Sequence, residues 1–314
     1  MHYSPRLSIV STLFRSTDTV EEFIRRASAS AERLVGNDFE IVLVDDGSPD
    51  DSLEKAQALL PRFPQLSLVK LSRNFGHHPA LLEGLRRARG DLVFLIDSDL
   101  EEEPEWLGAF AERMEETRSD VVYGYQISRK GGPFERFSGA LYWSVFRYLS
   151  DLDIPANMIT CRLMTRECVD AVLLYGEREV SIGGIFCLTG FTQEKLAVSK
   201  GDKGQSTYSL RLKLWHLVNS VTSFSTKPLE IIFVLGLVVT LIGFGLVGYL
   251  FLAAVAWNQP PVGWTSIMAS LWVIGGVIIL SLGTVSLYLG KVFIETKNRP
   301  RVIARTLDRD NHGQ

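Results

Sequence analysis

A surplus of basic residues is missing. Lys and Arg total 33 against 36 Asp and Glu, a formal net charge of -3, so a nucleic-acid-binding surface, which carries clustered positive charge, is not expected. Cysteine is scarce. Cys161, Cys168 and Cys187 are odd in number and lack the paired short spacings of a zinc site or a disulfide framework, and they read as small buried apolar residues. Neither G-x-G-x-x-G nor G-x-x-x-x-G-K-[ST] follows any of the strand-like runs below, which removes support for a dinucleotide dehydrogenase or a P-loop NTPase. The opening residues, MHYSPRLSIV, lack the charged, apolar and cleavage regions of a secretory signal, so the first part of the chain is expected to stay in the cytoplasm.

The most informative absence is of charge. Ile231 to Trp257 and Thr265 to Gly290 contain no Asp, Glu, Lys or Arg, and each run exceeds the roughly 20 residues that cross a bilayer core. Two transmembrane helices are expected, about 231–257 and 265–290, joined by the short proline-rich connector NQPPVG as a hairpin. Lys227 precedes the first span, and Lys291, Lys297, Arg299, Arg301 and Arg305 follow the second. By the positive-inside rule both termini are cytoplasmic. The domain reading is a cytoplasmic head over 1–226, the two spans within 227–295 and a basic cytoplasmic tail over 296–314. Gly243, Gly245, Gly275 and Gly276 suit packing against copies of the chain, so a homo-oligomer stays open.

Within the head, Arg6 to Phe14, Phe39 to Val44, Leu66 to Leu71 and Leu92 to Asp97 are apolar runs of the kind buried on both faces of a sheet. Helical patterns fill the gaps. Asp18 is placed to cap the first, and Val20, Phe23, Ile24, Ala27, Ala31 and Leu34 repeat at helical spacing. Ser52 to Leu60, Pro79 to Ala88 and Pro104 to Thr117 follow. This alternation predicts an α/β fold with a doubly wound, mostly parallel sheet.

Such a sheet binds ligands where its strands end. There the sequence offers TLFRS (12–16), DDGS (45–48), SRNFGH (72–77) and DSDL (97–100). Asp97 and Asp99 would repel one another alone, and Mg2+ or Mn2+ held by both, sharing phosphate oxygens and water, would relieve that. His77 and His78 begin a helix facing different sides and read as structural or solvent-facing. Glu102 and Glu103 read as a solvated helix start, where negative charge is favourable.

VDDGSPDDS (44–52), LSRNFGHHPALLEGLRRARGDLVFLIDSDLEEEPE (71–105), RLMTR (162–166), YSL (208–210) and TSFSTKPL (222–229) resemble the membrane-anchored family 2 glycosyltransferases. More narrowly the chain resembles the polyprenyl-phosphate type, which includes the bactoprenol and dolichol-phosphate enzymes. The resemblance runs from the first strand through both spans. It implies a GT-A fold, a nucleotide-sugar donor, a polyprenyl phosphate acceptor, and a multi-pass place in the inner (plasma) membrane serving cell-envelope glycan synthesis. Inversion at the sugar is then expected. Carried over by position, Thr12, Leu13, Phe14, Asp45 and Asp46 meet the nucleotide, and Asp97 and Asp99 hold the metal. Asp97 also faces the diphosphate. SRKGGPFERFSG (128–139) is similar to the acceptor loop, so Arg129, Arg136 and Ser138, with Arg162, are assigned to the lipid phosphate, which guanidinium forks suit. Glu101 stands where relatives often carry Gln, and whether it is a ligand stays open.

The family's P-x-Y-N-E after the first strand is replaced by Thr12-Leu13-Phe14-Arg15-Ser16, which leaves the nucleotide open. Its Asp-Phe before Arg-Leu is replaced by Thr160-Cys161, and Thr207 precedes Tyr208 where a basic residue is usual. These departures leave room for a lipid-linked glycan or another lipid as acceptor. A non-catalytic nucleotide-sugar-binding partner is the reading from another class; two uncharged spans disfavour a transporter. FERFSGALYWSVFRYL (134–149) and LRLKLWHLVNSVTSF (210–224) alternate apolar and basic residues as interfacial amphipathic helices do, so membrane lipids are expected partners.

Overall fold

Strands β1 (Leu7–Leu13), β2 (Phe39–Asp45), β3 (Leu66–Leu71) and β4 (Leu92–Leu95) form on the apolar runs. Their residues are buried on both sides because successive side chains leave opposite faces of a strand. Ile9, Leu13, Ile41 and Leu43 pack in one core layer with Phe23 and Ile24 of α1 (Val20–Val35), Ala56 and Leu59 of α2 (Ser52–Leu59) and Phe110 of α4 (Trp106–Thr117). Val10, Val42 and Val44 pack in the other layer with Leu81 and Leu85 of α3 (His77–Arg87), Val169 and Val172 of α5 (Arg166–Leu174), and Phe186 of α6 (Ile182–Leu188). Each buried aliphatic of this size is worth about 1.5–3 kcal/mol.

The computed structural model describes residues 5–126, 148–149, 155, 157–176, 182–199, 218, 222, 225–257, 263–297 and 299–307. Among them, β5 (Val121–Gln126), β6 (Met158–Thr165), β7 (Gln193–Val198) and β8 (Ala304–Leu307) complete one sheet in the order β7-β5-β6-β4-β1-β2-β3-β8. β6 and β8 run against the others. The expected doubly wound, mostly parallel α/β sheet is therefore present as a mixed sheet whose central strands, β3, β2, β1 and β4, are parallel.

Three local features differ from the sequence reading. β4 stops at Leu95 rather than Asp97: the Ile96 N–H still bonds Val10 O at 3.1 Å, but the Asp97 N–H turns to Glu102 Oε2 at 3.3 Å and leaves the ladder. The first turn of α1 is closed by Ser16 O, which accepts from the N–H groups of Thr19 and Val20, and no side-chain cap is made. The segment read as a basic tail contributes β8, which pairs antiparallel with β3 from Leu68↔Leu307 to Leu71↔Ala304.

Contacts divide the chain into two compact units, one of Met1–Ser138, Leu152–Thr207 and Arg299–Gln314, the other of Gly139–Asp151 and Tyr208–Asn298. The second contains α7 (Lys227–Trp257) and α8 (Trp264–Thr296). Among the described residues, Ile274–Thr296, 23 residues of mean hydropathy 2.0, is the one segment long and apolar enough to cross a membrane. Apolar side chains stand exposed along both helices, Phe233 and Leu241 on α7 and Ile279 and Leu282 on α8. The segments expected as interfacial helices lie almost entirely outside the described residues.

Candidate active site

The four parallel strands end side by side, and their loops are tied into one network. At the end of β1, Thr12 O accepts from Ser98 Oγ at 2.7 Å, and Ser98 Oγ also meets Ser16 Oγ at 3.2 Å. Ser98 is buried between two half-buried acids. The turn that follows β4 thus leaves Asp97 and Asp99 half-buried and anchors the residue between them to β1.

The turn after β4 is held from within. Asp99 Oδ1 accepts from the Glu101 N–H at 3.0 Å, and Glu102 Oε2 accepts from the Asp97 N–H. Leu100 sits at φ 63°, left-handed for a residue with a side chain, at a cost of about 1–3 kcal/mol that such turns keep where geometry serves a ligand. Glu102 is fully buried. It is not the solvated helix-start residue of the sequence reading: its carboxylate folds back under the turn and caps the peptide that leaves β4.

At the end of β2, Asp45 and Asp46 are both buried. Asp45 Oδ1 accepts from the Ser48 N–H at 3.1 Å. Asp46 accepts from the Phe75 N–H at 2.7 Å and the Gly76 N–H at 3.0 Å, lashing the loop after β3 to the end of β2. Burial pushes the Asp46 carboxyl above its ordinary value, opposed by these two amides. Gly47 makes the crossing possible. At φ 65° a Cβ there would stand 2.6 Å from Asn74 N, so only glycine lets the two loops approach.

The same loop delivers His77. Its Nδ1 lies 3.2 Å from Thr12 Oγ1 and its Nε2 lies 3.4 Å from Asp97 Oδ1. The imidazole therefore stands between the loop of β1 and the first acid of the pair, with its side chain exposed to solvent. Gly84 in α3 lets that helix lie tight on the sheet, since a Cβ there would stand 2.5 Å from Val10 Cγ1.

Of the other residues assigned from sequence, Leu13 is fully buried in the core, whereas Phe14 is exposed beside the Arg15 guanidinium, 5.6 Å from its ring centroid. Arg162, on β6 opposite Leu95, is 2% exposed. Its Nε donates to Thr160 O at 3.0 Å and its Nη2 to Ile159 O at 3.1 Å, while the guanidinium lies 3.9 Å over the Phe186 ring. Nη1 has no hydrogen-bond partner among the described residues. Burial lowers its pKa to about 10, and nearby groups, Glu102 among them, push it back up. Arg129, Arg136 and Ser138 lie outside the described residues.

Among the described residues, no three His, Cys, Asp or Glu side chains converge to hold a metal ion. Two carboxylates instead suit a hard cation that completes its shell with water and phosphate oxygens. The donor set thus fits Mg2+ or Mn2+ shared with a diphosphate.

Residues 8–173 match the model of the family described as "Glycosyl transferase family 2". A Mycobacterium tuberculosis (strain CDC 1551 / Oshkosh) protein named among the glycosyltransferases is 45% identical over 302 residues, 96% of this chain and 88% of its own length. The SfII prophage-derived bactoprenol glucosyl transferase of Shigella flexneri is 30% identical over 310 residues, 98% of this chain and 99% of that one. Among solved structures, glucosyl-3-phosphoglycerate synthase from Mycobacterium tuberculosis in complex with Mn2+, UDP and glucosyl-3-phosphoglycerate aligns with a TM-score of 0.47 at 18% identity, covering 70% of this chain and 79% of that one. The chain belongs to glycosyl transferase family 2 and is a glycosyltransferase.

Proposed function

We propose that this glycosyltransferase moves one sugar from a nucleotide-sugar donor to a polyprenyl phosphate at the cytoplasmic face of the inner (plasma) membrane, with inversion at the sugar, for cell-envelope glycan or glycoconjugate synthesis. The observation that carries the reading is the acidic turn: two half-buried carboxylates, Asp97 and Asp99, fixed at the carboxyl end of β4 within a network that reaches the ends of β1, β2 and β3. The end-to-end match to a bactoprenol glucosyl transferase supports the acceptor class. Four parallel central strands with an antiparallel β6 beside β4 support a GT-A sheet.

In this reading the donor lies across the strand ends. Phe14 and the backbone of Thr12 and Leu13 meet the base, and Asp45 and Asp46 shape the nucleoside side. Asp97 and Asp99 would hold Mg2+ or Mn2+, which supplies positive charge for the departing diphosphate. Arg129, Arg136, Ser138 and Arg162 serve the acceptor phosphate. A phosphate oxygen attacks the anomeric carbon while the bond to the donor diphosphate breaks and its electron pair leaves with the nucleoside diphosphate. One displacement inverts the configuration.

Thr160 replaces the acid that family members carry before Arg-Leu. A phosphate monoester has a second pKa of about 6, so at neutral pH much of it is already a dianionic nucleophile and positioning is the main requirement. Thr160→Asp is therefore expected to leave turnover within about threefold of wild type in a steady-state assay. A many-fold rise would show that a base is missing.

Membrane crossing is read as a two-helix hairpin, α7 and α8. Two features support it: the uncharged lengths, and the return of the chain after α8 to pair β8 with β3. A chain that leaves and re-enters one sheet crosses a bilayer an even number of times.

The test is a panel of nucleotide sugars offered with polyprenyl phosphate and Mn2+ to sealed vesicles carrying the full chain. Glycolipid is expected from one donor, supplied on the side of the head. Nucleotide binding without product from any donor would favour a non-catalytic partner. Product only with a lipid-linked glycan would move the acceptor.

A further inference from the structure

His77 is outside every role assigned above, yet it is the residue that joins the nucleotide side of the site to its acids. It opens α3 just after the two amides that Asp46 holds, so its backbone is anchored before its side chain reaches out. A neutral imidazole has one N–H donor and one acceptor nitrogen. The Asp97 carboxylate can only accept, so the tautomer with the proton on Nε2 is the one that suits its 3.4 Å approach to Oδ1, an electrostatic contact longer than a full hydrogen bond. Nδ1 is then the acceptor, and the Thr12 hydroxyl, 3.2 Å away, donates to it. Thr12 is itself fixed, because its carbonyl takes the Ser98 hydroxyl from the centre of the acidic turn. Thr12, His77, Asp97 and Ser98 thus close a ring of contacts.

We propose that His77 is the positioning residue of the metal centre: it orients the Asp97 carboxylate for a divalent cation, with Thr12 selecting the tautomer that allows it. This rests on the reading that Asp97 and Asp99 hold a metal. Outer partners of this kind typically change metal affinity by about 10- to 100-fold. His77 contributes no ligand, and its effect passes through the orientation of Asp97. Glu102 restrains the same residue from the backbone side, so the peptide and the carboxylate of Asp97 are held by different groups.

The experiment measures Mn2+ binding to the purified full chain by loss of the free-ion electron paramagnetic resonance signal, for wild type, Asp97→Asn, His77→Ala and His77→Gln. The metal-free melting midpoint is recorded for each in EDTA. Asp97→Asn should abolish measurable uptake, and His77→Ala should raise the Mn2+ Kd about 10- to 100-fold. His77→Gln keeps a donor near the Nε2 position and should recover to within about fivefold. The midpoints in EDTA should stay together. The proposal is overturned if His77→Ala binds Mn2+ like wild type, or if both His77 variants lose binding with a matching fall in the EDTA midpoint, the mark of a merely structural role. A wild type that takes up no Mn2+ would overturn the metal reading and this proposal with it; wild-type uptake with an unaffected His77→Ala would overturn this proposal alone.

Discussion

Asp99→Asn is expected to lower the rate of sugar transfer by about 10²- to 10³-fold, the size of effect seen when one preorganised electrostatic group is removed from a transition state. The substitution is clean because Asn retains a side-chain oxygen that can take the Glu101 N–H, now accepted by Asp99 Oδ1 at 3.0 Å. The turn should therefore survive, and with it the anchor from Ser98 to Thr12 O. What changes is the charge offered to a cation. The loss should appear in kcat more than in the KM of the donor, because the cation matters most as charge builds on the departing diphosphate. Steady-state kinetics with a melting curve checks this. Full activity in Asp99→Asn, or a collapse of folding, would remove Asp99 from the metal role.

The second large effect is on stability. Glu102→Leu deletes a fully buried carboxylate that accepts the Asp97 N–H, and its charge also favours the protonated form of buried Arg162. Leaving the Asp97 N–H without its buried acceptor typically costs about 1–3 kcal/mol, and losing a charge that favours protonated Arg162 adds to that. A fall in melting midpoint on the order of 10 °C is expected. Arg162→Met added to Glu102→Leu should restore much of that stability, since apolar replacement of both buried charges is often neutral or better. It should not restore transfer, because the turn has lost its internal cap and Arg162 is assigned to the acceptor phosphate. A double variant as unstable as Glu102→Leu alone would mean that the two charges do not act as a pair.

These two acids illustrate what was legible in the sequence. Asp99 could be found because its chemistry is local: a carboxylate two residues from another, at the end of a strand-like run. Glu102 could not, because three consecutive glutamates look like a solvated helix start, and its burial comes from the turn that folds it back onto the Asp97 N–H against a sheet not yet assembled. The contacts of His77 were hidden for the same reason. Its partners, Thr12 and Asp97, lie far away in the chain and meet it only because β1 and β4 are neighbours. Asp45 and Asp46 were correctly placed at a strand end, but the sequence did not reveal that Asp46 gives both oxygens to amides of the next loop. Strands β1 to β4 were readable from continuous apolar runs. β8, four residues of mixed character, becomes a strand because β3 offers it an edge.

The most direct test of the proposed reaction is the structure of the lipid product made by the purified chain, with Mn2+, from the donor that the panel selects. Phosphorus and proton magnetic resonance of that product should show a single phosphate between sugar and lipid, with the anomeric configuration opposite to that of the donor. A diphosphate linkage, a retained configuration, or a sugar attached anywhere but the lipid phosphate would contradict it.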